Sequence, residues 1–181
     1  TLAAYICFMD VDFARSLEKL SKTKVKDEIK QFLCETDLKF IDALVTEKLD
    51  EVEFSIILRA FIEAFTSYGN AEDYGKAVAQ VLAEVLADEF NYEFFSSNEI
   101  LANLVKALVG DQQINRFYDG ASGIGLIASK MNAQDYYLRD INQLPLAMAE
   151  VLFKLAGKRL DCQLQDSLTE NELSNEVDLV V

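Results

Sequence analysis

Apolar residues in the first half of the chain recur at helical spacing. Two stretches follow the i, i+3, i+4, i+7 rule, which places these residues on one face of a helix. The tripeptide Tyr68-Gly69-Asn70 separates the stretches and predicts a break between two helices. The apolar stripes are Phe54, Ile57, Leu58, Phe61, Ile62 and Phe65 in the first stretch, and Tyr74, Val78, Val81, Leu82, Val85 and Leu86 in the second. Further helices are predicted over Thr1–Met9 and near residues 12–20, 25–34 and 37–48.

After about residue 91, short apolar runs alternate with helical stretches. A capping box at Ser96-Ser97-Asn98-Glu99 predicts a helix that ends near Gly110. Its apolar face is formed by Ile100, Leu101, Leu104, Val105 and Leu108. Strands are predicted at Arg116–Asp119, Tyr136–Arg139, Leu160–Leu164 and Val177–Val181, with helices near 123–132 and 143–155 between the first three. This alternation predicts a parallel sheet with crossover helices. We therefore expect an α+α/β chain, with a helical bundle over residues 1–90 and an α/β domain over residues 91–181.

Composition and charge exclude several classes of function. The chain has 51% hydrophobic residues but no apolar run near 20 residues, so we expect a cytoplasmic protein that does not span a membrane. Its three cysteines form no C-x-x-C pair, which favours free thiols in a reducing compartment. With no histidine, His-based triads and most zinc sites are excluded, and no metal site is predicted. A net charge of −14 disfavours nucleic-acid binding by this segment alone.

The segment from Phe117 to Leu126 has the pattern of a ligand-binding turn. It leads from a predicted strand through an acid, Asp119, and three glycines within six residues into a predicted helix. At such a turn the backbone can approach a nucleotide-like ligand closely. Asp140 follows Asp119 by 21 residues at the end of the next strand, where a doubly wound fold places its ribose ligand. Asp166 and Ser167 follow the third strand, so all three acids are expected along the carboxyl rim of the sheet.

Two cofactors are compatible with a turn of this type. A nicotinamide dinucleotide would place its pyrophosphate at the turn, where negative charge is unfavourable. Asp119 directly precedes the glycines, and its charge suits the ammonium of a methionine-like group, which favours S-adenosylmethionine. The run Gly120–Gly125 is similar to the turn of short-chain dehydrogenases. In that family the turn lies near the N-terminus and a Tyr-x-x-x-Lys pair follows downstream. In this chain the turn comes after 118 residues and no such pair is present, so an NAD(P)-dependent dehydrogenase ranks lower.

Four segments, in order, resemble motifs of the modification subunits of type I restriction–modification systems and related N6-adenine DNA methyltransferases. Glu93-Phe94-Phe95-Ser96-Ser97 is similar to the family's Glu-Phe-Phe-Thr-Pro segment. Asp119–Gly125 is similar to its Asp-Pro-x-Cys/Ala-Gly-Ser/Thr-Gly motif. Asp140-Ile141-Asn142 resembles its Glu-Ile-Asn, and Asp166-Ser167-Leu168 resembles its Asp-Ser/Thr-Leu. The helical N-terminal half also fits this family.

The resemblance implies a Rossmann-like class I methyltransferase domain that binds S-adenosylmethionine. The implied binding residues are Phe95 and Ser96 at the methionine end, Asp119, Ala121, Ser122, Gly123 and Gly125 around the amino acid group, Asp140 at the ribose, and Asp166 and Ser167 at the adenine. Other readings stay open. Asp140 could be a solvated acid that caps the helix near Gln143, Asp166 could be an Asx-turn residue, and Phe94 and Phe95 could be core residues.

The chain also departs from the family pattern. Gly120 and Ser97 replace prolines, and Gly120 is expected to loosen the turn. The family's catalytic Asn/Asp-Pro-Pro-Tyr/Phe motif, which follows a strand like Asp178–Val181, is missing, so no catalytic residue is assigned and residues 1–181 alone are expected not to methylate DNA. The resemblance implies DNA contact through other parts and a specificity subunit, in a hetero-oligomer with specificity and restriction subunits. The alternative is a non-catalytic helical interaction module with a degenerate methyltransferase-like domain.

Overall fold

Helices form the N-terminal part of the chain, as the apolar periodicity predicts. The computed structural model describes residues 1–20, 22–40, 43, 45, 51–90, 99–169 and 176–181. The helices are α1 Leu2–Met9, α2 Val11–Leu17, α3 Lys22–Leu33, α4 Glu51–Tyr68, α5 Ala71–Phe90 and α6 Glu99–Val109. The helix predicted near 37–48 is wrong at its start, because residues 37–40 are not helical, and most of its remainder lies outside the described residues.

Local chemistry at residues 69 and 70 explains the break between α4 and α5. Gly69 has a φ of +75°, a left-handed conformation that ends a helix. The Asn70 side chain then accepts a hydrogen bond from the backbone N–H of Asp73 at 2.9 Å and so caps the start of α5. Glu72 and Asp73 add negative charge to the first turn of α5, where the helix dipole favours it.

The apolar stripes of α4 and α5 are only partly buried. Helix α4 packs against α1, α2 and α5, and it buries Phe54, Leu58 and Ile62, which lie on one i, i+4 row. Ile57 on α4, and Val81 and Val85 on α5, belong to the predicted stripes but are exposed. The periodicity identified the correct face, but neighbouring helices cover less of that face than the sequence pattern suggested.

The C-terminal part of the chain contains the predicted parallel sheet. Its strands are β1 Ile114–Asp119, β2 Ala133–Asp140, β3 Arg159–Leu164 and β4 Leu179–Val180, in the order β3-β2-β1-β4. All pairings are parallel, and the connecting helices are α7 Leu126–Lys130 and α8 Gln143–Leu155. This confirms the predicted fold class, since the order is that of one end of a Rossmann-like sheet. The chain moves outward from β1 to β3 and then returns to the other side of β1, which makes the β1/β4 boundary the topological switch point.

Helix α8 joins the sheet to the helical part. Almost every residue of α8 is buried, and α8 contacts β2, β3, α1 and α5. Its buried Glu150 carboxylate accepts hydrogen bonds from the backbone N–H groups of Lys39 at 3.2 Å and Phe40 at 2.9 Å. The Lys39 ammonium in turn pairs with Asp161 on β3 at 3.0 Å. One apolar cluster includes residues from both parts, and the division at residue 90 stays a prediction.

None of the helices in the described ranges is long and apolar enough to cross a membrane.

The contact between α5 and α8 depends on Gly75. A Cβ at this position would lie 2.3 Å from the backbone oxygen of Leu155 and 2.8 Å from Cε2 of Phe8. In an unobstructed helix interior, replacing Gly by Ala stabilises a protein by roughly 0.5–1 kcal/mol. Here we expect Gly75→Ala to lower the free energy of unfolding by about 2 kcal/mol or more, because the helices must separate. Urea denaturation followed by circular dichroism measures this change.

Gly69→Ala is the matched control for that experiment. A Cβ at Gly69 would meet nothing within 4 Å, so only its positive φ opposes alanine, at a cost of about 1 kcal/mol. A Gly75→Ala protein as stable as the wild type would contradict the close approach of α5 to α8.

Candidate functional site

The glycine turn after β1 requires its glycines for conformation and for space. Gly123 and Gly125 have φ angles of +53° and +75°, in the left-handed region. A Cβ at Gly125 would also lie 3.0 Å from the Phe153 ring and 3.1 Å from Leu138 Cδ1, so the turn sits tightly on α8 and β2. The helix predicted from residue 123 instead begins at Leu126, because left-handed residues cannot belong to it.

Asp140 fixes the glycine turn to the end of β2. One carboxylate oxygen accepts a hydrogen bond from the Gly123 N–H, and the other accepts one from the Asn142 N–H, both at 2.8 Å. The Ser122 N–H adds a bond to the backbone oxygen of Arg139 at 2.9 Å. Asp140 is only 8% exposed, so it is not the solvated acid of the alternative interpretation, although it does hold Asn142, the N-cap residue of α8. The two sequence features, glycine turn and second acid, therefore form one structural unit.

Asp119 is a buried carboxylate at the centre of this unit. It ends β1, is 5% exposed, and accepts one hydrogen bond from the Ala121 N–H at 3.1 Å. The pKa of Asp119 is raised to about 6, chiefly by burial and in smaller part by the nearby negative charge of Asp140. Two carboxylates thus share a poorly hydrated site at the switch point. A cation placed beside them would stabilise their ionised forms.

The Ser122 side chain points to a missing polar partner. Its Oγ is buried and has no hydrogen-bond partner in the part of the chain that the structure describes. A buried hydroxyl without a partner costs about 1–3 kcal/mol, and most buried side-chain polar atoms have one. A polar group of a ligand bound at the turn would provide that partner.

The loop after β3 reaches the turn through Ser167, whereas Asp166 faces solvent. The Tyr118 hydroxyl on β1 donates a hydrogen bond to Ser167 Oγ at 3.0 Å. A Cβ at Gly120 would lie 3.2 Å from Ser167 Cβ, so Ser167 packs directly on the turn. Asp166 is exposed, and its carboxylate accepts from the Leu168 N–H at 3.0 Å, which is the Asx-turn geometry of the alternative interpretation.

Most of the predicted site residues lie together at the carboxyl rim. Those brought together are Asp119, Ala121, Ser122, Gly123, Gly125, Asp140 and Ser167. Phe95 and Ser96 lie outside the described residues, as do Phe94 and the first three residues of the capping box. Tyr118 was not predicted as a site residue, because an aromatic residue in a strand has the pattern of a core residue and its partner lies 49 positions away. Among the described residues, no group of three potential metal ligands lies close together.

Comparisons with known proteins add a likeness in shape. No protein-family model matches the chain. No curated protein matches it either. Among solved structures, one match is a Listeria monocytogenes protein described as a candidate class I S-adenosylmethionine-dependent methyltransferase, with 16% sequence identity and a TM-score of 0.49. The match covers 98% of this chain but 57% of that one. A likeness at this level assigns neither an activity nor a ligand to the chain.

The raised pKa of Asp119 predicts how this site affects stability. Its folded-state pKa of about 6 lies above the ordinary value of 3.8, so the folded protein holds this proton more tightly than the unfolded chain. The contribution of Asp119 to stability should therefore fall as pH rises from about 4 to 6. We expect Asp119→Asn to raise the free energy of unfolding by roughly 1–3 kcal/mol at pH 7 and to change it little at pH 4. Urea denaturation at both pH values measures the difference.

Asp27→Asn, at an exposed position on α3, is the control and should change stability by less than about 0.5 kcal/mol at either pH. If Asp119→Asn destabilises the protein equally at pH 4 and pH 7, the carboxylate is not held in an unfavourable charged state.

Proposed function

We propose that this chain is the S-adenosylmethionine-binding part of a methyltransferase. The proposal rests on two features of the glycine turn at the switch point of the sheet: Asp119 is buried, and the buried Ser122 hydroxyl has no hydrogen-bond partner among the described residues. Ligands of open α/β sheets bind at this point. A zwitterionic, sulfonium-bearing ligand would supply a positive charge beside the two buried carboxylates and a hydrogen-bond partner for Ser122 Oγ.

The polarity of the site favours this cofactor over a dinucleotide. The pyrophosphate of NAD(P) would lie against Asp119, whose pKa is already raised by burial and by Asp140. More negative charge there would be strongly unfavourable. The ammonium and sulfonium of S-adenosylmethionine would instead stabilise the ionised carboxylates. The NAD(P)-dependent dehydrogenase consequently stays the lower-ranked alternative.

Each polar residue of the turn has a role in the proposed complex. Asp119 and the backbone of residues 121–125 hold the amino acid group, and Ser122 Oγ donates to its carboxylate. Asp140 receives the ribose hydroxyls, since each of its oxygens accepts one N–H and retains capacity for another bond. Ser167 borders the adenine. The Asp166 carboxylate accepts one N–H within its own turn and is exposed, so its other oxygen can accept from the adenine amino group. When bound, the cofactor supplies an electrophilic methyl group.

We further propose that the complete protein methylates adenine N6 in DNA. The support is the order of four motifs shared with modification subunits of type I restriction–modification systems. In that arrangement this chain binds the cofactor, while DNA contact and base recognition belong to other regions and to a specificity subunit, within a hetero-oligomer that also contains a restriction subunit. The net charge of −14 agrees with this division.

Titration calorimetry with S-adenosylmethionine tests the cofactor proposal through Ser122→Ala. We expect the wild type to bind, and Ser122→Ala to raise the Kd by about 10-fold because one hydrogen bond to a charged group is lost. The same variant should raise the Tm of the ligand-free protein, since it removes a buried hydroxyl that has no partner. A variant that binds the cofactor more weakly but melts at a higher temperature would show that the Ser122 hydroxyl serves ligand binding and not packing.

Ser67→Ala, which removes an exposed hydroxyl on α4, is the matched control and should leave both quantities unchanged. Binding of NADH in place of S-adenosylmethionine would support the dehydrogenase. No heat with either compound would reject the cofactor site and favour the non-catalytic interaction module.

The exposed apolar row of α6 favours this second candidate, because Ile100 and Leu108 are each 79% exposed.

A further inference from the structure

A cavity lies at the amino ends of the strands, on the opposite side of the sheet's rim from the glycine turn. It has a volume of about 440 Å³ and is bounded by α5, the end of α7 and the end of α8. Its lining residues Lys130 and Lys158 come just before β2 and β3, at the amino ends of these strands. Since β2 spans roughly 20 Å or more, this cavity is separate from the site at the carboxyl rim. The volume lies within the range of small-molecule sites.

The lining of this cavity combines cations with apolar surface. Three lysines line it, Lys76, Lys130 and Lys158, and no Asp or Glu is among its lining residues. Leu152, Phe153 and three alanines provide the apolar surface. In a chain with 17 basic and 31 acidic residues, such a concentration of positive charge is unusual. Lys76 pairs with Glu72 and Lys130 with Glu99, and all four of these side chains are at least a quarter exposed.

Lys158 is the inner cation of the cavity. Its ammonium donates a hydrogen bond to the backbone oxygen of Ser129 at 2.9 Å. It also lies 4.9 Å from the centre of the Tyr136 ring and 5.3 Å from that of Phe153. Within the residues that the structure describes, no carboxylate pairs with it, and burial lowers its pKa to about 8. An anion in the cavity would offset this desolvation.

We propose that this cavity binds a small organic acid, with the carboxylate on Lys158 and the apolar part against Leu152 and Phe153. The apolar wall favours an anion with a hydrophobic body over inorganic phosphate, which would bury a dianion beside one deep amine. Because the cavity is bounded by α5 as well as by α7 and α8, its ligand would bridge the helical part and the α/β part of the chain. This site is independent of S-adenosylmethionine binding.

The test compares 2-naphthoate with its neutral isostere 2-naphthamide on the full chain. In ¹⁵N NMR titrations we expect naphthoate to shift the amides of Ala79, Ala83 and Ala156. For the wild type, the Kd of naphthamide and the Kd of inorganic phosphate should each be at least 10-fold higher than the Kd of naphthoate. Lys158→Met should raise the Kd of naphthoate by at least 10-fold. Lys158→Arg should retain binding. Lys24→Met, an exposed change on α3, is the matched control.

A pH series adds a measurement that does not need a variant. Affinity for naphthoate should fall as pH rises above about 8, because Lys158 then loses its proton in the free protein. The other titratable groups nearby, among the described residues, are Lys76 on α5 with its partner Glu72, Lys130 on α7 with its partner Glu99, and Tyr136 on β2.

Equal Kd values for naphthoate and naphthamide would overturn the proposal. Unchanged binding of naphthoate by Lys158→Met would also overturn it, because Lys158 would then serve only to bind the Ser129 carbonyl at the end of α7. Shifts confined to the apolar row of α6, or phosphate binding as tightly as naphthoate, would also overturn it. If Lys158→Met fails to fold, the isostere comparison and the pH series still decide the question.

Discussion

The carboxylate of Asp140 is the constraint on which the candidate site depends. It holds the Gly123 N–H on one oxygen and the Asn142 N–H on the other, so one side chain fixes the glycine turn and the start of α8 to the end of β2. The turn cannot close in this way unless Gly123 adopts its left-handed conformation. Residues 17 positions apart therefore depend on each other, and the register of β1 against β2 brings them together.

The direction of the parallel strands separates two kinds of charge. At their carboxyl ends lie the buried acids Asp119 and Asp140, and near their amino ends lies the partly buried cation Lys158. In each case desolvation disfavours the ionised form, which raises the pKa of Asp119 and lowers the pKa of Lys158. Both sites thus hold charge that burial makes unfavourable, and each would be stabilised by a ligand of the opposite sign.

Features of the fold that depend on neighbouring residues could be predicted from the sequence, whereas features that depend on tertiary contacts could not. The first three strands and the break at Gly69 follow from residues that are close in sequence, and the structure confirms them, whereas the fourth strand, predicted over Val177–Val181, forms only over Leu179–Val180. The periodicity of α6 identified an apolar face, but the helix instead buries Ala102 and leaves Ile100 exposed, since a pattern cannot say which neighbour covers a face. The Tyr118–Ser167 contact and the environment of Lys158 depend on side chains far apart in sequence, so no local pattern indicated them.

Gly120 shows why a departure from a motif has to be judged with its surroundings. Judged from the sequence, glycine in place of proline loosens the turn. In the structure a Cβ at this position would lie 3.2 Å from Ser167 and 3.3 Å from the Tyr118 ring, which is closer than most such contacts. A Cβ at residue 120 would require these two hydrogen-bonded side chains to move by a few tenths of an ångström. The β1 strand and the loop after β3 thereby hold the turn from outside, and Gly120 is the residue that allows them to meet.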